Sequence, residues 1–283
     1  MQTLRQSVSQ AEAQLLTSPH PDRARLDAET LLLHLLQQNR AWLLAHWDDE
    51  ISATNTAILN EWIARRKAGE PLQYILGKAE FFGLSFTVAP GVLIPRPETE
   101  HLVEEVLRLA NDLSNPEIAD IGTGSGAIAV ALAHALPTAR ITATDLSDAA
   151  LKIARQNAAD NQVADRINFL EGDLLTPLAQ QRFSIIASNP PYIPSLDHDS
   201  LSIEVRQHEP HSALFAGEDG LAIYKRLIPD ARAQLLAGGW LVMEIGYGQQ
   251  PAIEALLKAS NYEEIHFIPD YQGILRVAVA QHN

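Results

Sequence analysis

No cysteine occurs among the 283 residues, which excludes disulfides, thiolate metal sites and cysteine nucleophiles. Positive charge is scarce. Twenty-one Lys and Arg face 35 Asp and Glu, a net charge of −14, so a broad phosphate-binding surface is not expected and only a small local basic patch has room. No apolar run approaches the ~20 residues needed to cross a membrane. The opening Met1-Gln2-Thr3-Leu4-Arg5-Gln6-Ser7 lacks the apolar core of a signal peptide, and its sparse arginine does not suit a transit peptide. A cytoplasmic protein is the expectation. No internal repeat, low-complexity tract or G-x-S-x-G element occurs, and without the last a serine hydrolase is unsupported. What is present is ordinary globular composition, 46% hydrophobic and 20% charged, in a chain long enough for one large domain or two smaller ones.

Residues 1–70 carry helical periodicity only. Leu4, Val8, Ala11 and Leu15 share one face. Leu26, Leu32, Leu33, Leu35 and Leu36 mark a second helix with Asp22 as its cap. Ile58, Leu59, Trp62 and Ile63 mark a later one, entered through Thr54 and Asn55, with Arg65, Arg66 and Lys67 as its solvated end. A small helical bundle is predicted. Residues 71–95 are broken by Pro and Gly into short pieces, Tyr74-Ile75-Leu76, Phe81-Phe82 and 84–88, which reads as a linker with a short strand pair. From 96 to 283, helices alternate with seven strands, at 118–121, 140–144, 167–170, 183–188, 240–245, 264–268 and 275–280. The expected fold class is α/β: a doubly wound, mostly parallel seven-stranded sheet, with one antiparallel member at the edge.

The first element that carries chemistry is Asp120-Ile121-Gly122-Thr123-Gly124-Ser125-Gly126, which follows a strand and opens a helix. Glycines let the backbone turn tightly and approach a ligand, and free N–H groups at the helix start favour an anionic group. Asp145 ends the next strand, where a carboxylate is placed to accept from ribose hydroxyls. The looser G-x-G-x-x-A spacing through Ala127 is also satisfied, so this loop alone does not separate a nicotinamide cofactor from S-adenosylmethionine. Asp173, in Gly172-Asp173-Leu174, is either an acceptor for an adenine amino group, with Leu174 against the ring, or a strand-to-loop turn residue.

The second element is Asn189-Pro190-Pro191-Tyr192, directly after the apolar strand 183–188. Two prolines fix the backbone and remove two N–H donors. What remains is acceptor-rich, the Asn189 side-chain oxygen and the Pro190 carbonyl, beside an aromatic face from Tyr192. That set suits a planar group bearing an NH₂, with both N–H bonds accepted and the plane packed on the ring.

Together the glycine loop, Asp145 and Asn189-Pro190-Pro191-Tyr192 resemble class I S-adenosylmethionine-dependent methyltransferases that act on a planar NH₂ nitrogen. Pro95-Arg96-Pro97-Glu98-Thr99-Glu100, His208-Glu209-Pro210, the stretch from Leu214 to Leu221 and Glu244-Ile245-Gly246 narrow the match. With the helical N-terminal region, the chain resembles the HemK/PrmC group, the release factor glutamine methyltransferases, over essentially its whole length. The resemblance implies that Gly122, Thr123, Gly124, Ser125 and Gly126 wrap the methionine end of S-adenosylmethionine and that Asp120 helps to hold its amino group. Asp145 would take the ribose, while Asp173 and Leu174 would flank the adenine. Asn189, also beside the cofactor, and Pro190 would accept from the substrate amide, with Pro191 and Tyr192 completing the substrate wall. Some relatives carry an aromatic residue where Leu174 stands, so adenine contact there is apolar packing without ring stacking.

An amide nitrogen is a poor nucleophile, so the expected task is alignment with the methyl donor, which becomes S-adenosylhomocysteine, and not general-base chemistry. No histidine and no metal is nominated; Pro210 breaks any helix that would align His208 with His211. The implied substrate is the Gly-Gly-Gln tip of a peptide chain release factor, gripped by the helical domain, with the enzyme a monomer that touches neither membrane nor, directly, nucleic acid. Four alternatives remain: a ribosomal-protein glutamine methyltransferase, a DNA or RNA amino-methyltransferase, a nicotinamide oxidoreductase and a non-catalytic binding module. The nucleic-acid reading predicts a basic groove that a charge of −14 does not favour. The oxidoreductase reading leaves Asn189-Pro190-Pro191-Tyr192 unexplained.

Overall fold

The computed structural model describes residues 2–283, which form two compact units. One comprises the chain up to Gly77 together with Leu201–His208; the other comprises Lys78–Ser200 and Glu209–Asn283. Among the described residues no helix is long and apolar enough to cross a membrane.

The first unit is helical: α1 Leu4–Leu15, α2 Ala24–Leu36, α3 Arg40–Ala45, α4 Ala53–Lys67 and α5 Leu72–Leu76, with the short helix Ile203–His208. Thr3 opens α1 in a capping box. Its hydroxyl accepts from the Gln6 N–H, and the Gln6 side chain accepts from the Thr3 N–H. Ser52 caps α4 through the Asn55 N–H, two residues ahead of the expected entry. Asp22 caps nothing; it sits in a 3-10 turn before α2. The core gathers Leu4, Val8, Leu31, Leu32, Leu43 and Ile63, whereas Leu26 is exposed. Arg66 is not on a solvated helix end. It is 4% exposed, its Nε donates to the buried Asp27 at 2.6 Å, and it also pairs with Glu204. Tyr74-Ile75-Leu76 is helix and not strand, closed by Gly77 at φ 70°.

In the second unit, β1 Lys78–Phe81 and β2 Leu84–Thr87 form a hairpin whose two turn residues, Phe82 and Gly83, both have positive φ, 51° and 71°. Such turns match the twist of the paired strands. The expected linker over 71–95 therefore divides, its helix falling in one unit and its hairpin in the other. The main sheet holds β3 Glu117–Ile121, β4 Arg140–Asp145, β5 Ile167–Glu171, β6 Phe183–Ser188, β7 Leu235–Glu244, β8 Glu263–Pro269 and β9 Leu275–His282, in the order β5-β4-β3-β6-β7-β9-β8. All neighbours run parallel except β9, which is antiparallel to both β7 and β8. The antiparallel strand thus lies one in from the edge and not at it, because β8 precedes it in sequence and takes the outer position. Helices cover both faces. α6 Glu100–Ala110 and α7 Ala127–Ala135, with α8 Asp148–Asp160, belong to one core, and Tyr224–Gln234 with Gln250–Ala259 to the other. A parallel sheet needs both coverings, which is why its strands read as apolar runs.

Candidate active site

Strand register builds the site. Ile121 is paired with both Thr144 and Ser188, and Ser188 with Met243. One residue further on, Gly122, Asp145, Asn189 and Glu244 stand in a row at the carboxyl edge, where open α/β sheets hold ligands.

The glycine loop turns back on β4: the N–H groups of Gly122 and Thr123 both donate to the Thr144 carbonyl at 2.9 Å. Gly122 and Gly124 have φ of 74° and 56°, and a Cβ on either would meet only open space. Gly126 is different, because a Cβ there would lie 3.1 Å from Ala154 on α8. Asn157 of α8, fully buried, locks the loop by donating to the carbonyls of Ser125 and Thr87 while accepting from the Thr87 N–H. Asp145 accepts the Gly124 N–H on Oδ2 at 2.8 Å and the Ser147 N–H on Oδ1 at 2.9 Å. Each oxygen keeps a lone pair for a further donor.

Asp120 lies fully buried behind the loop. Its Oδ2 accepts from the Thr123 hydroxyl at 2.6 Å and the Ala129 N–H at 3.1 Å, while Oδ1 has no partner. Burial pushes this carboxyl up to about 7, against the pull of those hydrogen bonds and with a smaller push from the Asp145 charge.

Beyond β6, Asn189 donates from Nδ2 to the Thr99 hydroxyl oxygen at 3.0 Å, and Thr99 donates to Glu244 Oε2 at 2.5 Å. The Tyr192 hydroxyl donates to Glu244 Oε1 at 3.2 Å. Burial raises the Glu244 carboxyl above the usual range, opposed by those two hydroxyl bonds. The Gln249 side chain ties three family-like stretches together, accepting the Gly246 N–H and donating to the carbonyls of Tyr192 and Gly220. A Cβ on Gly220 would lie 2.3 Å from the Tyr192 carbonyl, and one on Gly246 would lie 3.0 Å from the Tyr192 ring. Gly220 therefore excludes any side chain, and at Gly246 a side chain would have to push against Tyr192 and Gln249.

A cavity of about 340 Å³ opens on this edge. Of the residues singled out in the sequence, Gly122, Gly124, Asp145, Asp173, Leu174, Asn189 and Pro191 line it. Asp120, Thr123 and Ser125 are buried, and these three with Gly126, Pro190 and Tyr192 are not on its wall. Tyr192 instead holds Glu244. Asp173 lines the cavity with its Oδ2 engaged by Arg226 Nη2 at 2.5 Å, while its carbonyl accepts the Thr176 N–H as a turn residue does. Leu174 has a positive φ of 50°, and its carbonyl accepts from the Thr144 hydroxyl. Sequence reasoning missed the walls supplied by Val92, Leu93, Leu146 and Pro210; the apolar run after Pro90-Gly91 is the signal for the first two. It also missed that Arg96 and Glu209 pair. Arg96 Nη2 contacts both carboxylate oxygens of the buried Glu209, at 2.7 and 2.6 Å, which anchors the chain entering Pro210.

Residues 6–77 match the PrmC N-terminal domain and residues 99–206 the methyltransferase small domain. The chain is 42% identical to the release factor glutamine methyltransferase of Koribacter versatilis, over 99% of this chain and 98% of that one. The chain belongs to the release factor glutamine methyltransferase family. The enzyme of that name from Geobacter sulfurreducens is 43% identical over 90% of this chain and 89% of its own. The fold is shared more widely. The hMettl16 catalytic domain, solved with an RNA hairpin, superposes with a TM-score of 0.58 at 18% identity over 87% of this chain and 93% of that one. A Thermus thermophilus 16S rRNA methyltransferase, solved with AdoMet and guanosine, gives 0.54 at 19% over 73% of this chain and 50% of that one. Family membership makes the chain a methyltransferase. It also accounts for the motif stretches as packing around one loop: Thr99, Gly220, Glu244, Gly246 and Gln249 all touch Asn189 or Tyr192 or the groups that hold them.

Proposed function

We propose that this protein transfers a methyl group from S-adenosylmethionine to the side-chain amide nitrogen of the glutamine in the Gly-Gly-Gln motif of peptide chain release factors. The observation that carries the reading is Asn189. Its amino group is turned to Thr99, which leaves its oxygen as an acceptor without a partner among the described residues, and Asn189 lines the cavity together with Gly122, Gly124 and Asp145.

The residues present suit the methyl donor. Gly122 and Gly124 leave open space where its methionine end would lie. The unpartnered Oδ1 of Asp120 matches a nearby ammonium. Asp145 keeps lone pairs for ribose hydroxyls, and Asp173 and Leu174 form the wall for the adenine. Bound S-adenosylmethionine supplies a strongly electrophilic methyl on a sulfonium. Asn189 Oδ1 then accepts one N–H bond of the glutamine amide, and the Pro190 carbonyl, which is not on the cavity wall, would accept the other once the substrate is seated, fixing the amide plane. Such orientation recovers about 7–11 kcal/mol of a barrier. The same two acceptors stabilise the positive charge that grows on nitrogen, more in the transition state than in the ground state. Asn189, Pro190 and Pro191 present no ionisable side chain, which agrees with loss of the amide proton to water after transfer. The helical unit binds the body of the release factor, and the enzyme acts in the cytoplasm as a monomer.

The test is to incubate the pure protein with radiolabelled S-adenosylmethionine and an unmodified release factor, its Gln-replaced variant, ribosomal proteins and undermethylated DNA. Label in the release factor, lost when the glutamine is replaced, is expected. Label only in ribosomal protein or DNA overturns the substrate assignment, and no label with no cofactor binding overturns the chemistry.

A further inference from the structure

Three polar groups beside Asn189 touch neither substrate nor cofactor in the mechanism above: the Thr99 hydroxyl, the Glu244 carboxylate and the Tyr192 hydroxyl. They form one chain of bonds. Asn189 Nδ2 donates to Thr99 Oγ1, Thr99 donates to Glu244 Oε2, and Tyr192 donates to Glu244 Oε1. Thr99 is 4% exposed and Glu244 1%. A hydroxyl has one proton, and an ionised carboxylate only accepts. With Glu244 ionised, held so by its two hydroxyl donors against the effect of burial, the Thr99 proton goes to Glu244, Thr99 meets Asn189 with a lone pair, and Asn189 has to answer with its amino group.

We propose that Thr99 and Glu244 are positioning residues that set the polarity of the Asn189 amide, so that the site takes a glutamine NH₂ and rejects a carboxylate at the same place. The proposal rests on the function given above. A buried carboxylate is costly, and a glutamine of the same shape would pack at position 244. That glutamine would carry an NH₂ of its own, which could turn toward Thr99 and release the Thr99 proton to Asn189. Asn189 would then present its oxygen to Thr99 and its amino group to the cavity. That arrangement faces a substrate NH₂ donor to donor and welcomes a carboxylate. The other charged groups near Glu244 do not complete it: Arg276 is paired with Asp270 at 3.1 Å, and the Glu98 carboxylate only adds like charge. Two hydroxyl donors, each also joined to the Asn-Pro-Pro-Tyr loop or its contacts, are what the carboxylate holds.

The experiment compares wild type with Thr99→Val, Thr99→Ser and Glu244→Gln. Turnover is measured on an unmodified release factor, S-adenosylmethionine binding by calorimetry, and inhibition by the same release factor carrying Glu in place of the target Gln. Losing a charge-assisted bond in a buried site is expected to lower kcat about tenfold or more in Thr99→Val and Glu244→Gln. Cofactor affinity should stay near wild type, while the Glu-bearing protein becomes a relatively better inhibitor. Thr99→Ser keeps the hydroxyl and should restore both rate and preference. Unchanged kcat and unchanged Gln-over-Glu preference in Glu244→Gln overturn the proposal, as does a loss that Thr99→Ser shares or that follows lost cofactor binding. Should Thr99→Val not fold, Thr99→Ser and Glu244→Gln still decide. A wild-type enzyme that labels no release factor overturns the functional reading and this inference together; altered variants of an active wild type bear on the inference alone.

Discussion

Replacing Asp120 by Asn changes one atom of the site and reverses two properties in opposite directions. The carboxyl is fully buried, accepts on Oδ2 from Thr123 and Ala129, and leaves Oδ1 without a partner. Asn keeps the acceptor for both donors and puts an NH₂ in place of the orphan oxygen. Burial holds the native carboxyl at about 7 against an ordinary 3.8. The folded protein therefore binds more protons than the unfolded chain between those values. Stability from this group is complete below about pH 4, declines as pH rises toward 7, and is level above it. A shift of about 3 units at 1.36 kcal/mol each gives roughly 4 kcal/mol as the ceiling of the destabilisation at pH 8. Relaxation and water entry reduce it, so about 1–3 kcal/mol is the working expectation.

Asp120→Asn should accordingly melt several degrees above wild type at pH 8 in the absence of ligand, and at about the same temperature at pH 4. The wild-type curve should fall relative to the variant across the interval between. Binding should go the other way. If the ammonium of S-adenosylmethionine draws on the ionised Asp120, wild-type affinity rises as pH passes through 7, and the variant binds more weakly with no such rise. Melting curves and calorimetric titrations from pH 5 to 8.5 measure both. Parallel melting profiles for the two proteins would refute the assignment of a buried, strained charge. Equal affinities with equal pH dependence would refute its role toward the cofactor.

Asn189→Ala should remove turnover by at least about 100-fold while leaving S-adenosylmethionine affinity within a few-fold, since it deletes a transition-state acceptor and no glycine-loop contact; near-wild-type turnover would sink the role. Gly220→Ala forces a methyl to within 2.3 Å of the Tyr192 carbonyl at a φ of 71°, so it should shift the Asn-Pro-Pro-Tyr loop and lower kcat more than cofactor affinity. Equal crystal positions for Tyr192 in the variant would contradict this. Arg66→Ala removes the close buried partner of the Asp27 carboxylate and leaves it only the longer pair with the exposed Arg23 at 3.5 Å, so it should cost up to about 3–5 kcal/mol in urea unfolding, most of which Asp27→Leu combined with Arg66→Met recovers. A cost below 1 kcal/mol would show the pair to be solvated.

The parts of the fold legible in sequence were those where one period or one residue type decides. The largely apolar or β-branched stretches at 118–121, 141–144 and 183–188 are strands covered on both faces of a parallel sheet, and the glycine loop and Asp145 follow from where such strands end. The position of β9 was not legible, since two consecutive strands fit either order at an edge and only packing chooses. Nor was the fate of Tyr74-Ile75-Leu76, where β-branched and aromatic residues favour a strand but the helical core and Gly77 override them. Arg66 misled for the same reason: its charge suggests solvent, and its partner Asp27 lies 39 positions away.

The site shows a sharper division. Asn189 announces itself because two prolines follow it at a strand end, and Asp145 because it ends the strand that comes after the glycine loop. Thr99 and Glu244 do not, although both fall in stretches that resemble the family. Thr99 is separated from Glu244 by 145 positions, and each alone reads as a helix-start residue and a strand-end carboxylate. Only register joins them, because β7 and β6 pair Met243 with Ser188 and so bring the next residues, Glu244 and Asn189, level. Gly220, Gly246 and Gln249 follow from that same alignment, since the Tyr192 carbonyl and ring occupy the space a side chain would need. A residue that acts on substrate can be read from its own chemistry, but a residue that orients another can be read only once the sheet has set them side by side.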